Sequence, residues 1–138
     1  MISSKFILDI LDLLLDGDEA GKAIRPQVDY LTDAEYTYTG VGVLVSFNTS
    51  TGIENYKYSE DKVILDCVSI TSTELGVGAS AIVFVSNGVV STLEIWSYDG
   101  EYPRRELSDY TLKQEESFGT GREIKSYRKD AESSEIEE

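Results

Sequence analysis

Apolar residues recur at three- and four-residue spacing from Ser4 to Leu15: Phe6, Ile7, Ile10, Leu11 and Leu14 share one side, and Asp9, Asp12 and Asp16 the other. A period near 3.6 predicts an amphipathic helix, with Ser3 or Ser4 as N-cap and Gly17 as the stop. A shorter helix is predicted from about Asp18 to Ile24, its first turn carrying Asp18 and Glu19, and Pro26 ends or kinks it. The stretch up to Leu31 is compatible with resumed helix.

From Tyr36 the period drops to two. In "YTYTGVGVLVSF" Val41, Val43, Val45 and Phe47 make one apolar face, and Tyr36, Tyr38, Gly40, Gly42 and Leu44 the other. Two glycines on that second face predict a shallow groove approached by a helix or an aromatic ring. After the polar turn "NTSTG" a strand is predicted over Ile53 to Tyr58. Runs rich in β-branched residues follow at Lys62 to Thr73 and Ala79 to Ser86. Asn87-Gly88 in "VSNGVV" suits a two-residue type I′ hairpin turn, which sets facing residues whose numbers add to 175. That register puts Ile82, Phe84, Val89, Leu93 and Ile95 on the better core face. Ala79, Ala81, Val83, Val85, Val90, Thr92, Glu94 and Trp96 fall on the other, with Trp96 opposite Ala79.

Helices first and strands after predict an α+β domain: two N-terminal helices packed on one face of a mainly antiparallel sheet of about five or six strands. One domain is expected over 1–115. Residues 116–138 read as a polar, acidic tail, at least partly disordered, because no base follows Lys129 among the terminal acids.

At 138 residues such a domain buries enough surface to be stable without disulfides or metal. The single Cys67, in the apolar run "KVILDCVSI", is expected to pack as a small hydrophobe, and Asp66 beside it disfavours a thiolate. Asp9 and Asp12 interrupt the first apolar stretch and no small-residue cleavage site follows, so no signal peptide is expected. With no run near the roughly 18 apolar residues of a spanning helix, a cytoplasmic location is the expectation.

Charge adds the strongest global constraint. Against 26 acidic residues stand 12 basic ones, a net charge of −14, and residues 1–100 alone hold 15 acids and 5 bases. Nucleic acid and anionic membranes are repelled by such a field, and a positively charged partner is its complement.

The chain has no histidine, which removes Ser-His and Cys-His nucleophilic sites and histidine-dependent zinc sites. "DGDEAG" places Asp16, Asp18 and Gly21 at positions 1, 3 and 6 of a calcium loop, but Ala20 and Gln27 occupy positions 5 and 12, so helix capping is the better reading. "GVGAS" and "GTGR" lack the lysine of a phosphate loop. Neither metal nor cofactor is expected, nor an enzyme. The basic clusters, Arg104-Arg105 and Arg122 to Lys129, are too small for a nucleic-acid face.

The stretch "LEIWSYDGEYP" gathers Trp96, Tyr98 and Tyr102 among Glu94, Asp99 and Glu101. Aromatic rings ringed by carboxylates suit a hot spot for a basic protein, the rings supplying buried area and the acids steering encounter. The same pattern is compatible with a core corner. Glu94, Trp96, Tyr98, Asp99, Glu101 and Tyr102 are therefore the candidate partner-binding residues, with Asp9, Asp12 and Asp16 as a second patch. Two other readings stay open: a ligand-binding domain or enzyme with a sheet-face pocket lined by Tyr36, Tyr38 and Trp96, and an acidic DNA mimic. The oligomeric state is open as well.

Residues Glu74 to Pro103, "ELGVGASAIVFVSNGVVSTLEIWSYDGEYP", resemble the C-terminal hairpin of small acidic immunity-type proteins of bacterial polymorphic toxin systems. The shared pattern is a strand, an Asn/Asp-Gly turn, then "LEI-aromatic-Ser-Tyr-Asp-Gly" and a proline. This resemblance covers about a quarter of the chain. It implies a toxin–antitoxin role: a non-enzymatic protein that binds and neutralises a cognate basic toxin, commonly a nuclease, by covering its active site.

Overall fold

A computed structural model of the chain describes residues 1–115 and 121–126. Ser4 caps the first helix, α1 (Lys5–Leu14), its hydroxyl accepting the Ile7 N–H at 3.1 Å and so satisfying a donor that a helix start leaves open. Phe6, Ile7, Ile10, Leu11 and Leu14 are buried as their spacing predicts, and Leu13 with them. Each such side chain removed from water contributes roughly 2 kcal/mol. Asp18 caps α2 (Glu19–Ile24) by accepting the Gly21 N–H at 2.9 Å. Pro26 then lies in the first turn of a 3₁₀ segment, Arg25–Tyr30, in the stretch compatible with resumed helix.

Among the described residues seven strands, β1 (Leu31–Tyr38), β2 (Gly42–Thr49), β3 (Lys62–Thr71), β4 (Ala79–Ser86), β5 (Val89–Ser97), β6 (Thr111–Gln114) and β7 (Glu123–Lys125), form one antiparallel sheet. Their spatial order is β1-β2-β5-β4-β3-β6-β7. The fold is thus α+β, with more strands than the five or six expected. The run from Tyr36 to Phe47 is two strands, because the chain reverses at Thr39–Val41 with Gly40 at φ +91°. β6 and β7 are too short to show a period. The strand expected over Ile53 to Tyr58 is instead a 3₁₀ turn, Ile53–Tyr56, entered through a left-handed Gly52 that drops Ile53 into the core.

α1 lies against β3, β4 and β6, while α2 makes its main contact with the 3₁₀ segment Arg25–Tyr30. The Phe6 and Tyr110 ring centroids are 4.7 Å apart, and the Gln114 side chain of β6 donates to the Leu13 carbonyl at 2.9 Å. No helix among the described residues is long and apolar enough to cross a membrane.

The hairpin of β4 and β5 turns at Asn87 and Gly88, both at positive φ (55° and 75°), as a type I′ turn requires. Ser86 faces Val89 and Val85 faces Val90, in the predicted register. The register then slips by one. Ser91 bulges, its hydroxyl donating to the Phe84 carbonyl at 3.1 Å, and beyond it Thr92 faces Phe84, Leu93 faces Val83 and Trp96 faces Ser80 rather than Ala79. One inserted residue reverses which side chains share a face. The core side of the hairpin is therefore Ala79, Ala81, Val83 and Val85 together with Val90, Leu93 and Ile95, all nearly inaccessible. Ile82 and Phe84, expected in the core, share the outer face with Glu94 and Trp96.

A second bulge, in β3, takes Cys67 to φ +85° and leaves it half-buried rather than packed in the core. Its thiol donates to Asp66 at 3.2 Å; burial and the Asp66 carboxylate push it up to about 11. Most of the expected tail, 116–120 and 127–138, lies outside the described residues; its described part, 121–126, carries β7.

Candidate functional site

Three cross-strand rows define the outer face of the sheet. One runs Glu35, Ser46, Thr92, Phe84, Ile64; the next Thr37, Leu44, Glu94, Ile82; the third Gly42, Trp96, Ser80, Ser69, Lys113. Where the core face is sealed, this one is open: Ile64 is 62% exposed, Trp96 38% and Tyr98 49%. Leu44 is exposed as well, and Ile82 and Phe84 are half-buried. The result is an apolar track from Ile64 to Tyr98. Ile82 and Phe84 were missed as surface residues because the bulge at Ser91 regroups them with Glu94 and Trp96, which composition does not reveal, whereas Leu44 keeps the face opposite Val43 and Val45 that its spacing predicts.

Trp96 lies between Gly42 and Ser80, so neither cross-strand neighbour covers its ring, and Tyr98 meets it edge-on at 5.4 Å. The space at Gly42 is closed by backbone, not by the helix or ring that the glycine pattern predicts: a Cβ there would stand 1.9 Å from the Ile95 carbonyl oxygen.

The turn after β5 is pinned at several points. Tyr98 N–H donates to Gly78 O and Tyr102 N–H to Gly40 O, each at 2.9 Å. The Asp99 carboxylate accepts from the Ser97 hydroxyl at 2.6 Å and the Glu101 N–H at 3.2 Å, and these two contacts hold its carboxyl below the usual range. Gly100 turns the chain at φ +82°. A segment held this way presents Trp96 and Tyr98 with little ordering entropy left to lose on binding.

Of the six candidates, Trp96, Tyr98, Asp99 and Glu101 are exposed and Glu94 is half-buried on the same face as Trp96. Tyr102 is not part of that surface. It is 5% exposed, its hydroxyl has no hydrogen-bond partner among the described residues, and burial holds its ionisation well above the ordinary tyrosine range. Tyr102 also lines a cleft of about 480 Å³ together with Glu74, Asp99, Glu101 and Arg104.

The second patch is spent within the molecule. Asp9 pairs with Lys5 at 2.7 Å and accepts the Tyr110 hydroxyl at 2.9 Å. Asp12 pairs with Arg25 at 3.0 Å and Arg122 at 3.2 Å, and Asp16 with Arg122 at 2.9 Å. Arg104 is tied to the Tyr38 carbonyl at 2.9 Å, and Arg105 to Glu74. The pocket considered for a ligand does not form, since Tyr36 faces Val45 and Tyr38 faces Val43 on the core side, opposite to Trp96. Those two tyrosines line a separate cleft with Ser4, Asp33 and Glu106.

Glu74 anchors the loops beside the site. Burial pushes its carboxyl up, but the Asp109 and Ser108 N–H groups, at 3.2 and 2.8 Å, and the Arg105 guanidinium outweigh this and hold it at about 2. A lowered folded-state value means stability that is fully present above the ordinary glutamate value of 4.5 and is lost as pH falls toward about 2. Glu74→Gln is expected to cost on the order of 1–2 kcal/mol at neutral pH, solvent screening being allowed for, and to flatten the acid limb of the stability curve. Urea unfolding of both proteins across that pH window checks this; parallel acid limbs would refute it.

Compared with models of known protein families, with curated proteins and with solved structures, the chain matches none of them.

Proposed function

We propose that the protein is a non-enzymatic protein-binding module, an immunity protein that neutralises a basic toxin by laying the outer face of its sheet over it. The observation that carries this reading is the bare apolar track from Ile64 to Trp96 and Tyr98, which ends among Glu94, Asp99 and Glu101. Exposed apolar residues gathered on one face and rimmed by polar groups mark interaction sites, and acids at their margin speed encounter with a cationic partner. The net charge of −14 sets the sign of that partner. The hairpin resemblance points to the same class.

The test is titration with basic nuclease-toxin domains at low and high salt, with toxin activity as a second readout. Tight binding that weakens with salt and abolishes toxin activity is expected. Affinity that ignores ionic strength would remove the electrostatic part of the reading. Trp96→Ala is expected to weaken binding by about 30-fold, the size of a hot-spot residue worth roughly 2 kcal/mol. Its thermal unfolding should stay cooperative, because the ring is not part of the core.

A further inference from the structure

We infer that the anchor a partner places on this face is an arginine side chain, its guanidinium paired with the Glu94 carboxylate and laid on the Trp96 ring. This rests on the protein-binding reading above and names the chemistry of the contact.

Glu94 stands in a row with Leu44 on one side and Ile82 on the other, half-buried between them. Among the described residues it has neither a hydrogen-bond nor an ion-pair partner, unlike Asp9, Asp12, Asp16 and Glu74. Of the described bases, Arg104 is held at the Tyr38 carbonyl on β1, with β2 between that strand and β5. Lys113, in the Trp96 row, lies beyond Ser80 and Ser69. Three strand spacings amount to roughly 14 Å, more than a Debye length at physiological salt. Lys62 faces Ser86 at the far end of β3 and β4.

Covering the apolar track therefore also covers an unpaired carboxylate. A wholly apolar partner would strand that charge out of water at a cost of several kcal/mol, so the surface selects a partner that brings a cation. Glu94 and Trp96 are two residues apart on one strand face, roughly 6.6 Å, a span that one guanidinium bridges. Gly42 and Ser80 bring no large side chain beside the partly exposed ring, and Tyr98 packs near-perpendicular to it at 5.4 Å. Arginine suits this better than lysine because its planar fork pairs with a carboxylate and stacks on an indole at once.

Trp96 is the only tryptophan, so its fluorescence reports this face alone. Hexa-arginine and hexa-lysine peptides are titrated at equal salt into the protein, into Glu94→Gln, and into Asp9→Asn as a charge-matched control. The expected result is a saturating change with arginine at least about threefold tighter than lysine. Glu94→Gln should weaken the arginine response about tenfold, and Asp9→Asn should leave it unchanged. Equal affinity for the two peptides, or equal losses in the two variants, overturns the arginine anchor while leaving the face a binding surface. No response to either peptide also overturns the anchor, and the toxin titration then judges the wider reading by itself. Thermal unfolding of Glu94→Gln confirms that a loss is not a loss of fold.

Discussion

Gln27→Leu is expected to lower the unfolding free energy by about 2–4 kcal/mol, one of the largest single-residue effects outside the aliphatic core. Gln27 is fully buried in the 3₁₀ segment Arg25–Tyr30. Its amide nitrogen donates to the Tyr56 and Gly88 carbonyls, both at 2.9 Å, and its amide oxygen accepts the Val90 N–H at 2.9 Å. One side chain thus closes three backbone groups at the hairpin turn and the 3₁₀ turn Ile53–Tyr56. Leucine nearly matches its volume, so little cavity forms, yet the buried Val90 N–H and the part-buried Tyr56 carbonyl lose their partner at roughly 1–3 kcal/mol each, while Gly88 O keeps the Tyr58 N–H at 2.9 Å. The gain from burying a more apolar side chain offsets part of this. Chemical denaturation with an unchanged m-value measures the loss, and hydrogen exchange at the Val90 amide should accelerate with it. A cost under about 1 kcal/mol would mean that the turn relaxes to find other partners.

Gly42→Ala is expected to cost about 3 kcal/mol or more and to disturb the proposed contact face as well. The added Cβ would lie 1.9 Å from the Ile95 carbonyl oxygen and 2.9 Å from the Trp96 Cα, both backbone atoms that no rotamer change can move. β2 and β5 must part at the pair Gly42 and Trp96, so the tryptophan emission should shift even at temperatures where the protein stays folded. Gly100→Ala is the control. A Cβ at Gly100 meets nothing within 4 Å, so only its left-handed backbone resists, by about 1–2 kcal/mol. Gly42 is not in the left-handed region, so a loss no larger than that at Gly100 would show that the two strands part easily enough to absorb the clash.

The candidate site was partly legible in the chain. Aromatics and acids from Glu94 to Glu101 stand close together in sequence, and four of them are exposed near one end of the sheet. Tyr102 belongs to the same stretch but turns inward, because its N–H is tied to Gly40 across a turn that no local pattern foretells. The helix acids carry charge without offering it, since Arg25, from the 3₁₀ segment, and Arg122, beside β7, pair with Asp12 and Asp16. The far end of the track, Ile64, Phe84 and Ile82, has the composition of core and is surface by register alone.

By itself the chain determined what neighbouring residues can settle: the capped amphipathic helix at Lys5–Leu14, the Asp18 cap, the type I′ turn at Asn87-Gly88, the extents of β3 and β4, and the sign of the surface charge. Caps, turn dihedrals and periods act within about four residues, and side-chain chemistry suffices to specify them. Tertiary structure decided the strand order, the short strands β6 and β7, the pairing of the helix acids and, through the bulge at Ser91, which half of the hairpin faces the core. Each of these rests on contacts between distant residues, where a slip of one position exchanges inside for outside without any change in composition.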